Sequence, residues 1–246
     1  MQHAGPPPSG VAVPSAVLIW AGGRPLTPVW ENQLGGLTFE VGVGPDREFV
    51  KWAPVNSGLD LAAEAQRLTW AIDYTPVPRV VDSGGHADGA WLVTKGLPGD
   101  SAVSRHWLMH PEVSVPAAGH ALRRLHDALP VDACPFSWSV DDRLASARAK
   151  GLPVPADFPP APPTDRLVVC HGDPCVPNTL LDDMGQWSGH VDMAALGTAD
   201  RWADIAVGAW STEWNYGPGW EAAYLSAYGV DRDEERIRFY RALWDL

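Results

Sequence analysis

The stretch CHGDPCVPNTLL (170–181) follows the apolar run LVV with His171, Asp173 and Asn178 in quick succession. A second acid, Asp192, ends another short apolar run in GHVDM (189–193). Two carboxylates and an amide at the ends of neighbouring strands fit two chemistries. In phosphoryl transfer little covalent work falls to the protein, which positions an alcohol and neutralises charge with Mg²⁺. In metal-assisted hydrolysis the two H-x-D motifs, at 171–173 and 190–192, would be ligands of a dinuclear centre. The hydrolase reading leaves Asn178 without a task. It also asks His190 to face the same way as Asp192, which strand alternation permits.

The elements that must position these residues change character along the chain. The first ~95 residues read mainly as strands and turns. VLIW (17–20), LTFEVGVG (37–44), EFVKWA (48–53), PVPRVVD (76–82) and AWLVTKG (90–96) are β-prone segments broken by Gly, Pro and Asp. LDLAAEAQRLTWAI (59–72) is the one helix there, with Leu61, Ala65, Leu68 and Ile72 on one face and Asp60 as N-cap. After LPGD (97–100) helices dominate. Val115, Ala118, Leu122, Leu125 and Leu129 step by three and four residues, which predicts an amphipathic helix over 112–129. Further helices are expected over roughly 139–150, 201–214, 219–229 and 233–244. PVPADFPPAPPTD (153–165) is too proline-rich for a regular element. RLVVC (166–170) and WSGHVD (187–192) read as buried strands flanking the loop. The expected fold is therefore α+β in two lobes, residues 1–96 and 97–246.

Composition narrows the function. A chain of 246 residues with 46% hydrophobic and 20% charged residues fits an ordinary globular protein. No apolar run approaches the length of a membrane span. The N-terminus lacks the basic region of a signal peptide, so the expected location is the cytoplasm. Cys134, Cys170 and Cys175 show no C-x-x-C spacing and read as reduced thiols, the latter two as packing residues. A net charge of −12 argues against a nucleic-acid partner and suits a small cationic ligand, besides favouring solubility. The thirteen tryptophans have no period and read mostly as core. Oligomeric state leaves no mark in the sequence.

An aspartate followed five positions later by asparagine, on a loop leaving a strand, has the spacing of the protein-kinase catalytic loop. There the Asp receives the proton of the attacking hydroxyl, the Asn holds Mg²⁺, and a further Asp supplies another metal contact. Phosphoryl transfer of this kind asks for a lysine on a central strand and a glutamate on the single N-terminal helix. Lys51 in EFVKWA, and Glu64 thirteen residues later, meet that expectation. Gly35 and Gly36 in NQLGGLTFEV (32–41) sit between strands, where backbone amides can approach a phosphate. An ordinary turn is the competing reading. His171 reads as a structural histidine that hydrogen-bonds the loop.

HGDPCVPN (171–178), VDMAALGTADRWADIA (191–206), VPRVV (77–81), AWLVT (90–94), LPG (97–99), EAQRLTW (64–70) and CPF (134–136) together resemble the aminoglycoside phosphotransferases, most of all their 3'-phosphotransferase branch. The resemblance runs from about residue 30 to the end. It implies a kinase-like two-lobed fold using ATP or GTP with Mg²⁺, and a hydroxylated amino-sugar as acceptor. Carried over residue by residue, it implies Asp173 as catalytic base and Asn178 and Asp192 as metal ligands. Lys51 and Glu64 would serve the α- and β-phosphates, and the backbone around Thr94–Gly96 would bind adenine. Asp200, Arg201 and Asp204 would brace the loop after Asp192. The sequence departs from the family at several points. Met193 and Ala194 replace the glycine-containing D-F-G continuation, Leu34 stands where a phosphate-loop serine is common, and the segment between CPF and HGD is short and half proline. The C-terminal tail is reduced to ALWDL, with Asp245 as its one acid. A pseudokinase that binds nucleotide without transferring phosphate is the non-catalytic alternative.

Overall fold

Alternation along EFVKWAP buries Val50 and Trp52 on one side of a strand and turns Lys51 to the other. That strand is central to the first of two compact units in the computed structural model, which describes residues 5–246. The first unit contains the described residues up to Asp73 together with Val77–Leu97. Its elements are α1 (Ser15–Ala21), β1 (Leu26–Glu31), β2 (Leu37–Val41), β3 (Glu48–Pro54), α2 (Leu61–Ala71), β4 (Val80–His86) and β5 (Gly89–Lys95). The five strands form one antiparallel sheet in the order β1-β2-β3-β5-β4. Val17 and Ala21 of α1 pack with Phe39, Val41, Val50, Trp52 and Val93. Helix α2 packs along β4 and β5, on the side that Lys51 faces.

The run VLIW, expected as a strand, is the body of α1. A short apolar run does not distinguish helix from strand by itself. Here the period is helical: Val17 and Ala21 are buried, whereas Leu18 and Ile19 between them are exposed. Gly22, in the left-handed conformation, ends the helix and returns its N–H to Leu18. Strand β1 was not expected either. Pro28 disguises it, but the pairing with β2 shifts register between Pro28 and Trp30 at the sheet edge, where a missing N–H is tolerated.

Helix α1 also pins the start of β3 through charge. The buried carboxylate of Glu48 accepts from Trp20 Nε1 at 3.0 Å, Arg24 Nη1 at 2.9 Å and Lys95 Nζ at 2.7 Å. Burial alone would push this carboxyl up, but the three donors outweigh it and hold the group down at about 2.

The second unit contains Tyr74–Pro76 and Pro98–Leu246. Its elements are β6 (Asp100–Ser101), α3 (Arg105–Leu108), α4 (Pro111–Ala128), α5 (Val140–Ala149), β7 (Leu167–Cys170), β8 (Thr179–Leu181), β9 (Trp187–His190), β10 (Gly197–Asp200), α6 (Trp202–Tyr216), α7 (Glu221–Tyr228) and α8 (Glu234–Trp244). Strand β7 pairs antiparallel with β10, and β8 lies between β6 and β9. The expected face of α4 is the buried one, and it packs against α7, while α6 packs against α7 and α8. The segment 153–165 contains no helix or strand. Among the described residues no helix is long and apolar enough to cross a membrane.

Because the folded state holds Glu48 below its ordinary value, its contribution is complete above about pH 4.5 and disappears as the pH falls towards about 2. Glu48→Gln is expected to cost roughly 2 kcal/mol at neutral pH, after discounting for the half-exposed lysine and arginine. Denaturant unfolding at a series of pH values should show the parent and variant curves converging below pH 4.5.

Candidate active site

The loop that leaves β7 has no regular ladder to hold it, so its backbone must find partners elsewhere. Asp204, in the first turn of α6 and wholly buried, accepts the N–H groups of His171 at 2.5 Å and Gly172 at 3.0 Å. Gly172 has φ +83°, and a Cβ there would lie 2.1 Å from the carbonyl oxygen of Ala195, so only glycine lets the loop lie against the backbone beyond Asp192. Further along, Val176 donates its N–H to Ser211 Oγ at 3.0 Å. Asp204 and Ser211 are seven residues apart, two turns along one face of α6.

His171 ties this loop to the strand that ends at Asp192. Burial lowers its pKa, so the imidazole is neutral. Its Nε2 donates to the carbonyl of Val191 at 2.9 Å, and its Nδ1 accepts the N–H of Asp173 at 3.3 Å. Val191 in turn donates its N–H to the carbonyl of Asn178 at 3.0 Å. The residue before Asp192 is thus held on both its polar groups by the loop that carries Asp173 and Asn178. The structure brings Asp173, Asn178 and Asp192 into one loop cluster.

Within that cluster the oxygen atoms are prepared for a ligand. Asn178 Nδ2 donates to the carbonyl of Asp173 at 3.0 Å, which leaves its Oδ1 as the acceptor. Oδ1 of Asp173 is buried and has no hydrogen-bond partner among the described residues. Asp192 has φ +61°, a left-handed conformation that non-glycine residues rarely adopt. An orphaned carboxylate oxygen, an amide oxygen and a second carboxylate carried by one loop cluster are the type of donors that a hard cation such as Mg²⁺ takes.

In the first unit Lys51 and Glu64 meet as expected, Nζ to Oε1 at 2.6 Å, with Glu64 buried. The pair is possible because β3 turns Lys51 towards α2 and because Asp60 caps α2, accepting the N–H of Ala63 at 2.8 Å. Gly35 and Gly36 form the turn between β1 and β2. Its amides are already engaged: Asn32 Oδ1 accepts from Leu34 at 3.0 Å and Gly36 at 2.8 Å, and the Asn32 carbonyl accepts from Gly35 at 3.1 Å. Thr94 is buried within β5, paired with Phe49 and Val80. The N–H of Gly96 is bonded to the Arg47 carbonyl at 2.9 Å, and that of Lys95 to the Arg79 carbonyl at 2.9 Å.

The two H-x-D motifs do not assemble a metal cage. Both ring nitrogens of His171 are committed within the loop, which leaves no lone pair for a metal. Among the described residues, the one group of three or more His, Cys, Asp or Glu with converging ligand atoms is His126, Cys170 and Asp204. There the Asp204 carboxylate is occupied by N–H donors, and burial keeps the Cys170 thiol protonated. Asp204 braces the loop before Asp173, not the one after Asp192. Asp200 and Arg201 hold the start of α6: Asp200 accepts from Trp202 and Asp165 N–H, and Arg201 pairs with Asp165 at 2.7 Å. The roles of Ser211 and Asn32 were missed, although Ser211 had a signal in its helical spacing from Asp204.

A family model described as the phosphotransferase enzyme family matches residues 31–240. The chain is 36% identical to an aminoglycoside 3'-phosphotransferase of Streptomyces fradiae, covering 87% of this chain and 91% of that protein. It is 35% identical to a streptomycin 3''-kinase of Streptomyces griseus, covering 78% and 82% respectively. The solved aminoglycoside phosphotransferase of Streptomyces rimosus, in complex with ADP and streptomycin, superposes with a TM-score of 0.69 at 28% identity over 93% of this chain and 95% of that one. The α+β fold is accordingly the kinase-like one.

Gly172→Ala is expected to destabilise the protein by roughly 3 kcal/mol or more, because it combines a left-handed backbone with a backbone clash. Thermal unfolding measures it, and an unchanged midpoint would contradict the packing described.

Proposed function

The chain belongs to the phosphotransferase enzyme family, and on that premise we propose that it transfers the γ-phosphate of ATP to a hydroxyl group of an aminoglycoside. The observation that carries this reading is the buried Oδ1 of Asp173, without a hydrogen-bond partner among the described residues, in the loop cluster that also holds Asn178 and Asp192. In the proposed reaction Asp173 aligns the acceptor hydroxyl and takes its proton. Asn178 Oδ1 and the Asp192 carboxylate would hold Mg²⁺, which when bound neutralises charge on the phosphates. Lys51, steadied by Glu64, serves the α- and β-phosphates, and the Gly35–Gly36 turn and the Thr94–Gly96 backbone serve the rest of the nucleotide. Residues 1–96 act as the nucleotide-binding part and 97–246 as the catalytic and acceptor-binding part.

The net charge of −12 favours a polycationic acceptor over a neutral sugar. Relatives that are named for the 3' and the 3'' position are 36% and 35% identical, so overall identity does not choose between these positions. A panel of aminoglycosides assayed for phosphate transfer, with ATP and GTP as donors, identifies the acceptor and the nucleotide. The three cysteines are free thiols, in keeping with a reducing, cytoplasmic setting.

Two variants separate the assigned roles. Asp173→Ala is expected to lower turnover by about 10²–10⁴-fold while ATP affinity stays within about threefold. Asp192→Ala is expected to weaken ATP binding in the presence of Mg²⁺ and leave metal-free binding unchanged. Steady-state kinetics and calorimetric titration measure these effects. Near-parent turnover of Asp173→Ala would remove the proposed base.

A further inference from the structure

Asp204 has a third partner, which the site described above does not use. His126 of α4, with a wholly buried side chain, places Nε2 at 3.0 Å from Asp204 Oδ2. Its other ring nitrogen, Nδ1, lies 2.8 Å from the hydroxyl of Tyr228 on α7, itself buried. Burial pushes the Tyr228 phenol well up, so the hydroxyl keeps its proton and can donate it to Nδ1. The ring proton then sits on Nε2, facing the carboxylate. Three helices thereby supply one hydrogen-bond chain, and its last link is the turn before Asp173.

The energetics of a buried carboxylate make each donor matter. No lysine or arginine pairs with Asp204 among the described residues, so its N–H donors, with the protonated Cys170 thiol beside them, carry the compensation for lost hydration. Two of them are the amides of His171 and Gly172, and His126 is the third. Without the Nε2 donor, the carboxylate is free to shift towards the two amides or towards water, and the turn shifts with it. Gly172 has no slack to absorb this, because it already lies against the backbone of Ala195. Asp173 is the next residue. A misplacement of about 1 Å at a reacting group can cost 10²-fold in rate.

We propose that His126, oriented by Tyr228, is a positioning residue for phosphoryl transfer: the chain Tyr228–His126–Asp204 fixes the His171–Gly172 turn and so aims Asp173. This rests on Asp173 being the base, and the experiment tests the two separately. The parent and Asp173→Ala are assayed first; an inactive parent, or an active Asp173→Ala, sinks the assignment of the base irrespective of His126. With those controls in place, His126→Phe keeps a ring and loses the donor, whereas His126→Gln keeps an N–H near the position of Nε2. His126→Phe is expected to lower kcat about 30-fold with KM for ATP within about twofold, and His126→Gln to recover to within about fivefold of the parent. Tyr228→Phe should lower kcat by about 3–10-fold, and add nothing further to His126→Phe. The proposal is overturned if His126→Gln is as slow as His126→Phe, if KM for ATP rises in step with the loss of kcat, or if the two losses add. Thermal unfolding checks each variant. If His126→Phe does not fold, His126→Gln and Tyr228→Phe decide, and an unchanged kcat in Tyr228→Phe overturns the proposal.

Discussion

The second unit is organised around one buried negative charge. A carboxylate with no exposed surface is tolerated only if donors surround it, and the donors that Asp204 finds include the backbone of the loop that carries Asp173. Packing α6 into the core and shaping the loop are therefore a single event. Ser211, further along the same helix, takes the N–H of Val176, and between them Gly208 lies close to the carbonyl of Pro174. A segment whose own regular structure is a single turn, Val176–Asn178, is held to a helix by the side chains of Asp204 and Ser211.

The first unit solves a related problem twice, on opposite sides of the central strand. Glu48 and Glu64 are both buried, and each is met by lysine. Glu48 gathers Trp20, Arg24 and Lys95, a set that satisfies it and joins α1, β3 and β5. Glu64 has Lys51 at 2.6 Å, and that lysine sits mid-strand on the α2 face. The first cluster spends its cations on the fold. The second holds a cation in a fixed direction, which is what a phosphate-binding lysine requires.

What the sequence disclosed followed the strength of its periodicities. Helices α2 and α4 were legible because their apolar residues recur on one face over many turns, and Asp60 stood at the cap position. The cluster of Asp173, Asn178 and Asp192 was legible because its spacing is fixed by a single loop and the strand beside it. Short elements were harder. VLIW is too brief for its period to show, and β1 carries a proline that only a sheet edge accepts. Long-range partners left the weakest trace. Nothing in the neighbourhood of Asp204 announces that its acceptors face a turn more than thirty residues earlier, and nothing near Asn32 announces that its own side chain fills the turn it begins.

That Asn32 turn has a thermodynamic corollary. Because one carboxamide oxygen already receives two of the loop's amides, an arriving phosphate oxygen would replace an acceptor without supplying a missing one. The charged oxygen makes the stronger bonds, but the gain is smaller than at amides that have no acceptor. A phosphate held there would have to match the asparagine's placement in order to displace it.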